Sequence, residues 1–253
     1  DELAQSSAAQ RSLKICNGEA CRAAGCDAVI ERCESELGVT TGEVSSSGTR
    51  LEHVACLGYC GQGPNAMIDD LPVSLASTGA VDAALKSVLS ESEHGLTEPK
   101  NPIYRPESDA PCVVLRNAGQ DVIGLADARA AGIYGALEKT VSSLQPQDVI
   151  DQIKASQLRG RGGAGFPTGI KLQTVADSEA PDGSGRRFVV VNFDEGDAGS
   201  YIDKELVEND PHSQIEGILL AAYATGACEA IIYARYEYPR ARRVLEAAVD
   251  EAR

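Results

Sequence analysis

Arg187-Phe188-Val189-Val190-Val191-Asn192-Phe193-Asp194-Glu195-Gly196-Asp197-Ala198-Gly199 divides into an apolar, β-branched run and an acidic, glycine-rich tail. The run predicts a buried strand, and the tail a loop leaving the strand's C-terminal end. Downstream, Asp210 and Pro211 supply an N-cap and a first-turn proline. Ile215, Ile218, Leu219, Ala222 and Tyr223 then form an inward helical stripe that stops before Gly226. Ala230-Ile231-Ile232-Tyr233-Ala234 reads as a second buried strand, and Pro239 opens a last helix through Val244, Leu245, Ala248 and Val249. Strand, helix and strand in that order predict a parallel, right-handed βαβ unit, so this part of the chain is α/β. Open α/β sheets bind ligands where their strands end, which makes Asn192, Asp194, Glu195 and Asp197 candidate ligand contacts. The alternative is a solvated strand-to-helix loop. His212, at the helix start, is expected to be a hydrogen-bonded structural histidine.

Upstream lies Leu158-Arg159-Gly160-Arg161-Gly162-Gly163-Ala164-Gly165-Phe166-Pro167-Thr168-Gly169-Ile170-Lys171, with five glycines, two arginines and a lysine. Glycines let the backbone approach an anion and turn its amides toward phosphate oxygens, while Arg161 and Lys171 add charge. Gly160-x-Gly162-x-x-Gly165 satisfies the dinucleotide fingerprint literally, but Val149, Ile150, Ile153 and Leu158 predict a helix before it where that motif needs a strand. Gly169 is followed by Ile170, so it is no Walker loop. A phosphate cradle and a flexible turn both remain open on composition alone.

The chain has 253 residues, enough for two domains, and its net charge of −15 argues against a nucleic-acid partner. Arg240, Arg242 and Arg243 read as a solvated helix face. No membrane span is visible, and Asp1-Glu2-Leu3 lacks a signal peptide's basic and apolar regions, so a cytoplasmic setting is expected. Six of the eight cysteines fall in the first 60 residues. In a reducing compartment such clustering points to metal or redox chemistry. Cys16-x4-Cys21 and Cys56-x3-Cys60 each follow a β-like run, so two strand-end loops are expected to converge on one centre. Zinc and [2Fe–2S] both remain possible, and spacings wider than CxxC favour iron–sulfur. Cys26 and Cys33 lie on a helix predicted over Asp27 to Leu37 and read as core thiols, with Cys26 a spare ligand as the alternative. Cys112 and Cys228 read as small buried hydrophobes. Val81, Leu85, Val88 and Leu89 suit a closing helix. Beyond it, Pro99, Pro102, Pro106 and Pro111 mark a semi-rigid linker over 91–111 between domains at 1–90 and 112–253.

Cys-x4-Cys followed by Cys-x3-Cys-x-x-Gly-Pro, over Leu13 to Leu89, resembles the thioredoxin-like [2Fe–2S] ferredoxin family. The resemblance implies that Cys16, Cys21, Cys56 and Cys60 ligate the cluster. From Val113 to Arg253, three motifs resemble the flavoprotein subunit of NADH dehydrogenase, a family that includes diaphorase subunits of NAD-linked hydrogenases and formate dehydrogenases. They are Arg159-Gly-Arg-Gly-Gly-Ala-Gly-Phe-Pro-Thr-Gly-x-Lys171, Asn192-x-Asp194-Glu195-Gly-Asp197-x-Gly199, and Asp210-Pro211-His212 with Glu216-Gly217. The resemblance implies a Rossmann-like FMN-binding domain. Gly160, Arg161, Gly162, Gly163 and Lys171 would hold the FMN phosphate, and Asn192, Asp194 and Glu195 the ribityl chain and ring. Phe166 would stack on NADH, and Asp197 would sit near the nicotinamide. Leu172-Gln173-Thr174 replaces family aromatics, and Asp197 replaces a usual Glu. The segments that in the family complete the flavin pocket and add a [4Fe–4S] site are missing, so a longer protein is expected.

The function implied is electron transfer between NAD(H), FMN and iron–sulfur clusters. Partners would be other iron–sulfur subunits and a catalytic hydrogenase, formate dehydrogenase or respiratory subunit. The alternatives are an electron-wire or assembly subunit without productive NADH binding, and a zinc-stabilised domain fused to an unrelated α/β domain.

Overall fold

The computed structural model describes residues 11–90, 94–101, 112–119, 123–179 and 183–253. Two compact units emerge. The first comprises residues up to 110 together with 195–204 and 235–240; the second comprises 111–194, 205–234 and 241–253.

The first unit opens with β1 (Arg11–Cys16), α1 (Glu19–Ala23), α2 (Cys26–Leu37) and β2 (Thr49–Val54). A 3₁₀ turn at Cys60–Gln62 leads to β3 (Asn65–Ile68), β4 (Leu71–Ser74) and α3 (Thr78–Ser90). The sheet order is β2-β1-β3-β4. β1 and β2 run parallel from Arg11 opposite Thr49 to Cys16 opposite Val54, and β3 is antiparallel to β1 and β4. Alternation along β1 turns Leu13 and Ile15 inward, where they meet Cys33, Leu37, Leu51, Val73 and Leu85. Each fully buried Leu or Ile stabilises the fold by about 1.5–3 kcal/mol. Val81, Leu85 and Val88 of α3 are buried as expected, whereas Leu89, one residue further round the helix, is exposed. The described stretch 94–101 of the expected linker lies along this unit: Ser74 N–H donates to the Thr97 carbonyl at 2.8 Å and Lys100 N–H to Gln62 at 3.1 Å. Pro102, Pro106 and Pro111 fall outside the described residues.

The second sequence half contributes α4 (Leu125–Ala130), α5 (Gly135–Ser143), α6 (Pro146–Ala155), α7 (Thr168–Asp177) and β5 (Phe188–Phe193). It continues with α8 (Ile202–Asn209), α9 (Pro211–Thr225), β6 (Glu229–Ala234) and α10 (Pro239–Ala252). Helix α9 begins as its sequence predicts, with Asp210 accepting from Ser213 N–H at 3.3 Å, and it ends on Gly226 at φ 69°. β5 and β6 are parallel, Phe188 opposite Glu229 through Phe193 opposite Ala234.

Four burial expectations are corrected here. β5 and β6 are not buried strands: Phe188, Val190, Ile231 and Tyr233 are exposed, because Val189 and Val191 alternate to the opposite side and a strand's two faces need two covering layers. Leu219 on α9 is also exposed; the inward surface is His212, Ile215, Glu216 and Ile218 instead. Leu158 lies beyond α6 and is exposed, since Ser156 closes that helix and Gln157 turns the chain at φ 57°. Cys112 and Cys228 are exposed, both in coil outside any helix or strand.

Candidate functional site

Parallel pairing makes β1 and β2 release the chain at the same sheet edge. Cys16 closes β1 opposite Val54, and Cys56 follows two residues past β2. Helix α1 returns Cys21 to this edge and the 3₁₀ turn begins at Cys60. The Cys56 and Cys60 sulfurs are 3.5 Å apart. The Cys21 thiol donates to Cys16, which holds Cys16 low against the opposing effect of burial; the Gly18 and Leu57 amides assist. The same bond, with burial, pushes Cys21 up. Burial, then the Cys56 sulfur, pushes Cys60 up.

Donors surround the sulfurs. Gly58 N–H reaches Cys56 Sγ at 3.3 Å, Asn65 Nδ2 lies 3.9 Å from Cys21 Sγ, and the Gly199 amide faces Cys60. Among the described residues no three His, Cys, Asp or Glu side chains are grouped to hold a metal ion. Two close thiol pairs, each supplied with N–H donors, suit a centre of two metal atoms taking two thiolates apiece better than one tetrahedral ion. Glycine is required at 18 for space: a Cβ there would sit 2.5 Å from the Ala55 carbonyl oxygen. At Gly63 it would sit 3.0 Å from Cys21 Sγ. Cys33 belongs to the main core, where burial pushes its thiol up to about 11. Cys26 packs among Cys16, Cys21, Leu57 and Met67.

Residues 195–204 and 235–240 complete the first unit. The Glu195 carboxylate accepts from Ser200 Oγ at 3.1 Å and from the Asp203 and Lys204 amides at 3.0 and 3.2 Å, fastening the start of α8. Arg235 donates Nη1 to the Glu195 carbonyl at 2.8 Å and grips Glu237 through Nε and Nη2 at 3.0 and 3.2 Å. Lys204 is only 2% exposed, its Nζ 3.8 Å from the Tyr59 ring centroid.

In the second unit the glycine run forms a closed loop. Arg159 bridges Pro167, Gly160 N–H donates to the Phe166 carbonyl at 2.9 Å, and Thr168 N–H to the Leu158 carbonyl at 2.9 Å. Among the described residues the amides of Arg161 to Gly165 have no protein acceptor. Added Cβ atoms at Gly162, Gly163 and Gly165 would meet nothing, and Arg161 and Lys171 are exposed. Free amides, open space and two cations suit a phosphate. Gly169 has another cause: a Cβ would come 2.7 Å from the Lys154 backbone nitrogen, so it permits α6 and α7 to pack. An open cavity of about 460 Å³ beside the loop is lined by Ile153, Lys154, Leu158, Arg159, Pro167 and Ile170, none of them predicted for the phosphate. Asn192 Oδ1 accepts from Asp194 N–H at 2.8 Å at the end of β5. Phe166 and Asp197 are exposed.

Residues 3–89 match the thioredoxin-like [2Fe–2S] ferredoxin family and residues 153–253 the Nuo51 FMN-binding domain. The chain joins a thioredoxin-like [2Fe–2S] ferredoxin domain to a Nuo51 FMN-binding domain. NAD-reducing hydrogenase HoxS subunit alpha of Cupriavidus necator is 31% identical over 245 residues, 95% of this chain and 39% of that protein. An NADH-quinone oxidoreductase subunit of Aquifex aeolicus is 44% identical over 122 residues, 48% of this chain and 27% of that one. A crystal structure of NAD⁺-reducing [NiFe]-hydrogenase in the air-oxidized state matches with TM-score 0.77 and 25% identity, over 97% of this chain and 41% of that one. The chain thus spans well under half the length of these relatives. Among the described residues no helix is long and apolar enough to cross a membrane.

In the FMN-binding domain, His212 is structural as expected, 0% exposed between Tyr134 Oη at 2.7 Å and Glu251 at 3.3 Å. Leu172, half-buried, packs against Val149, Ile150 and Ala224. The sequence reading missed Asn65, Lys204 and Arg235. One signal was available for Arg235, which directly follows β6 at the strand's C-terminal end, the position already used to select Asn192 and Asp194.

Proposed function

We propose that this chain is an NADH:acceptor oxidoreductase module, a diaphorase carrying electrons between NAD(H), FMN and a [2Fe–2S] cluster within a larger NAD-linked complex. The observation that carries the reading is the two close thiol pairs, Cys16 with Cys21 and Cys56 with Cys60, at the edge where β1 and β2 end, with N–H donors at their sulfurs. In this reading those four thiolates hold the cluster. The Gly160, Arg161, Gly162 and Gly163 turn and Lys171 bind the FMN phosphate through free amides and charge. Asn192 and Asp194 orient the flavin, Phe166 offers an aromatic face to NADH, and Asp197 stands near the nicotinamide. Glu195 joins Asn192 and Asp194 at the ribityl chain and ring, and its carboxylate also shapes the acidic loop by accepting three hydrogen bonds. Bound FMN supplies the exchange between hydride and single electrons, so no side chain has to act as nucleophile or base.

Other iron–sulfur subunits and a catalytic hydrogenase, formate dehydrogenase or respiratory subunit are the partners proposed. The alternative is an electron wire that has lost NADH binding; Leu172, which packs against Val149 and Ile150, offers NADH no aromatic face, and one test decides between the two readings. The test is the visible spectrum of the anaerobically purified full-length protein before and after NADH. Flavin and iron–sulfur bands that bleach together are expected. A colourless protein, or a fully loaded flavin that stays oxidised, would overturn the diaphorase reading.

A further inference from the structure

The first unit buries two cations beside the cysteine loops, and neither comes from the ferredoxin domain's own sequence. Lys204 lies over Tyr59, and Arg235 is 7% exposed with its guanidinium 5.4 Å from the Tyr238 ring centroid. That ring roofs the cysteine loop: a Cβ at Gly58 would meet Tyr238 Cε1 at 2.9 Å and Lys204 Cδ at 2.7 Å, and Gly58 itself donates to Cys56 Sγ. Arg235 also holds the strap that reaches Cys60. Its Nη1 grips the Glu195 carbonyl, Glu195 fastens Ser200 and Lys204, and Tyr238 Oη donates to the Ser200 carbonyl at 3.3 Å. Gly199, whose amide faces Cys60, lies inside that strap.

We propose that Arg235 is a positioning residue that sets the reduction potential of the cysteine-bound [2Fe–2S] centre, its charge favouring the reduced form and its hydrogen bond to Glu195 holding the strap that reaches Cys60. This rests on the cluster assignment made above. Reduction adds an electron to an already anionic centre, and a buried cation stabilises the product more than the reactant, since charge acts strongly where water is excluded. Glu237 offsets part of this charge through its two hydrogen bonds to Arg235. Other charges in the strap segments are Glu195, Asp197, Asp203, Lys204 and Arg240, the last paired with Glu98, and Lys14 lies 4.5 Å from the Tyr236 ring centroid.

The experiment is an EPR-monitored redox titration of the full chain, with iron content measured alongside, for wild type, Arg235→Gln and Glu237→Gln. Arg235→Gln is expected to keep its iron and lower the reduced-to-oxidised ratio about tenfold at the wild-type midpoint, about 59 mV for one electron. Glu237→Gln, which leaves Arg235 uncompensated, is expected to move the midpoint the opposite way. A merely structural Arg235 would move both variants in the same direction, or neither, and either result overturns the proposal. If Arg235→Gln does not accumulate, Glu237→Gln decides alone: an unchanged or lowered midpoint refutes it. A wild type containing no iron defeats the cluster assignment itself, a separate result.

Discussion

Gly18→Ala isolates one contact at the cysteine edge. Gly18 has φ −61° and ψ 157°, angles any residue adopts, so the substitution introduces no backbone strain and tests space alone. The added Cβ would sit 2.5 Å from the Ala55 carbonyl oxygen and 3.7 Å from Cys16 Sγ. Comfortable contact needs about 3.5 Å, so the two loops must separate by about 1 Å. Backbone on both sides has to move, which costs about 1–3 kcal/mol, the usual range for overpacking a tight core. With a urea m-value of about 2 kcal/mol/M, the midpoint of the transition reporting this unit falls by about 0.5–1.5 M. Because Cys16 and Cys56 flank the displaced backbone, iron content should fall as well. Gly79→Ala is the control: it lies in α3, its Cβ meets nothing, and it should raise stability by about 0.5–1 kcal/mol. Wild-type iron and an unshifted midpoint in Gly18→Ala would refute the claim that close loop approach builds the centre.

Lys171→Ala is expected to weaken FMN retention about tenfold, the loss of one charge-assisted contact of about 1.5 kcal/mol, read from flavin released on dilution; unchanged retention removes Lys171 from the phosphate site. His212→Phe keeps the ring volume but leaves buried Tyr134 Oη without its 2.7 Å partner, so about 1–3 kcal/mol of stability should go in urea denaturation while iron content stays constant. Burial raises the Glu237 carboxyl, but the Arg235 hydrogen bonds outweigh it and hold Glu237 below its ordinary value. A depressed folded-state pKa gives stability that is present above the unfolded value and lost as pH falls through the folded one. Wild type should therefore lose stability between about pH 5 and pH 3 in a way that Glu237→Gln does not.

Local signals were legible. Leu13 and Ile15 alternate as a half-exposed β-strand must, and Asp210, Pro211 and Gly226 bound α9 because caps act within a turn. The cysteine centre was legible as two pairs on strand-end loops expected to converge, and what brings them to one edge is the parallel pairing of β1 and β2, which the strand-crossover pattern makes natural. Exposure was less legible. Val190 and Ile231 have strongly apolar neighbours, but burial is decided by whether another layer covers their face, and no residue in β5 or β6 encodes that. Lys204 and Arg235 were illegible for a different reason: a buried cation is identified by distant partners such as Tyr59 and the Glu195 carbonyl, far from either in sequence or in a separate strand's loop.

The first unit is discontinuous along the chain, since its last pieces are residues 195–204 and 235–240. On a ribosome adding 5–20 residues per second, the cysteine loops emerge on the order of ten seconds before Arg235 does. During that interval the thiols have their strands but not their strap, so an iron–sulfur donor acting on the nascent chain would meet a more open edge than one acting after release. An expression vector ending near residue 110 would freeze that early state permanently, and a ferredoxin domain made that way is a different molecule from the one in the whole chain.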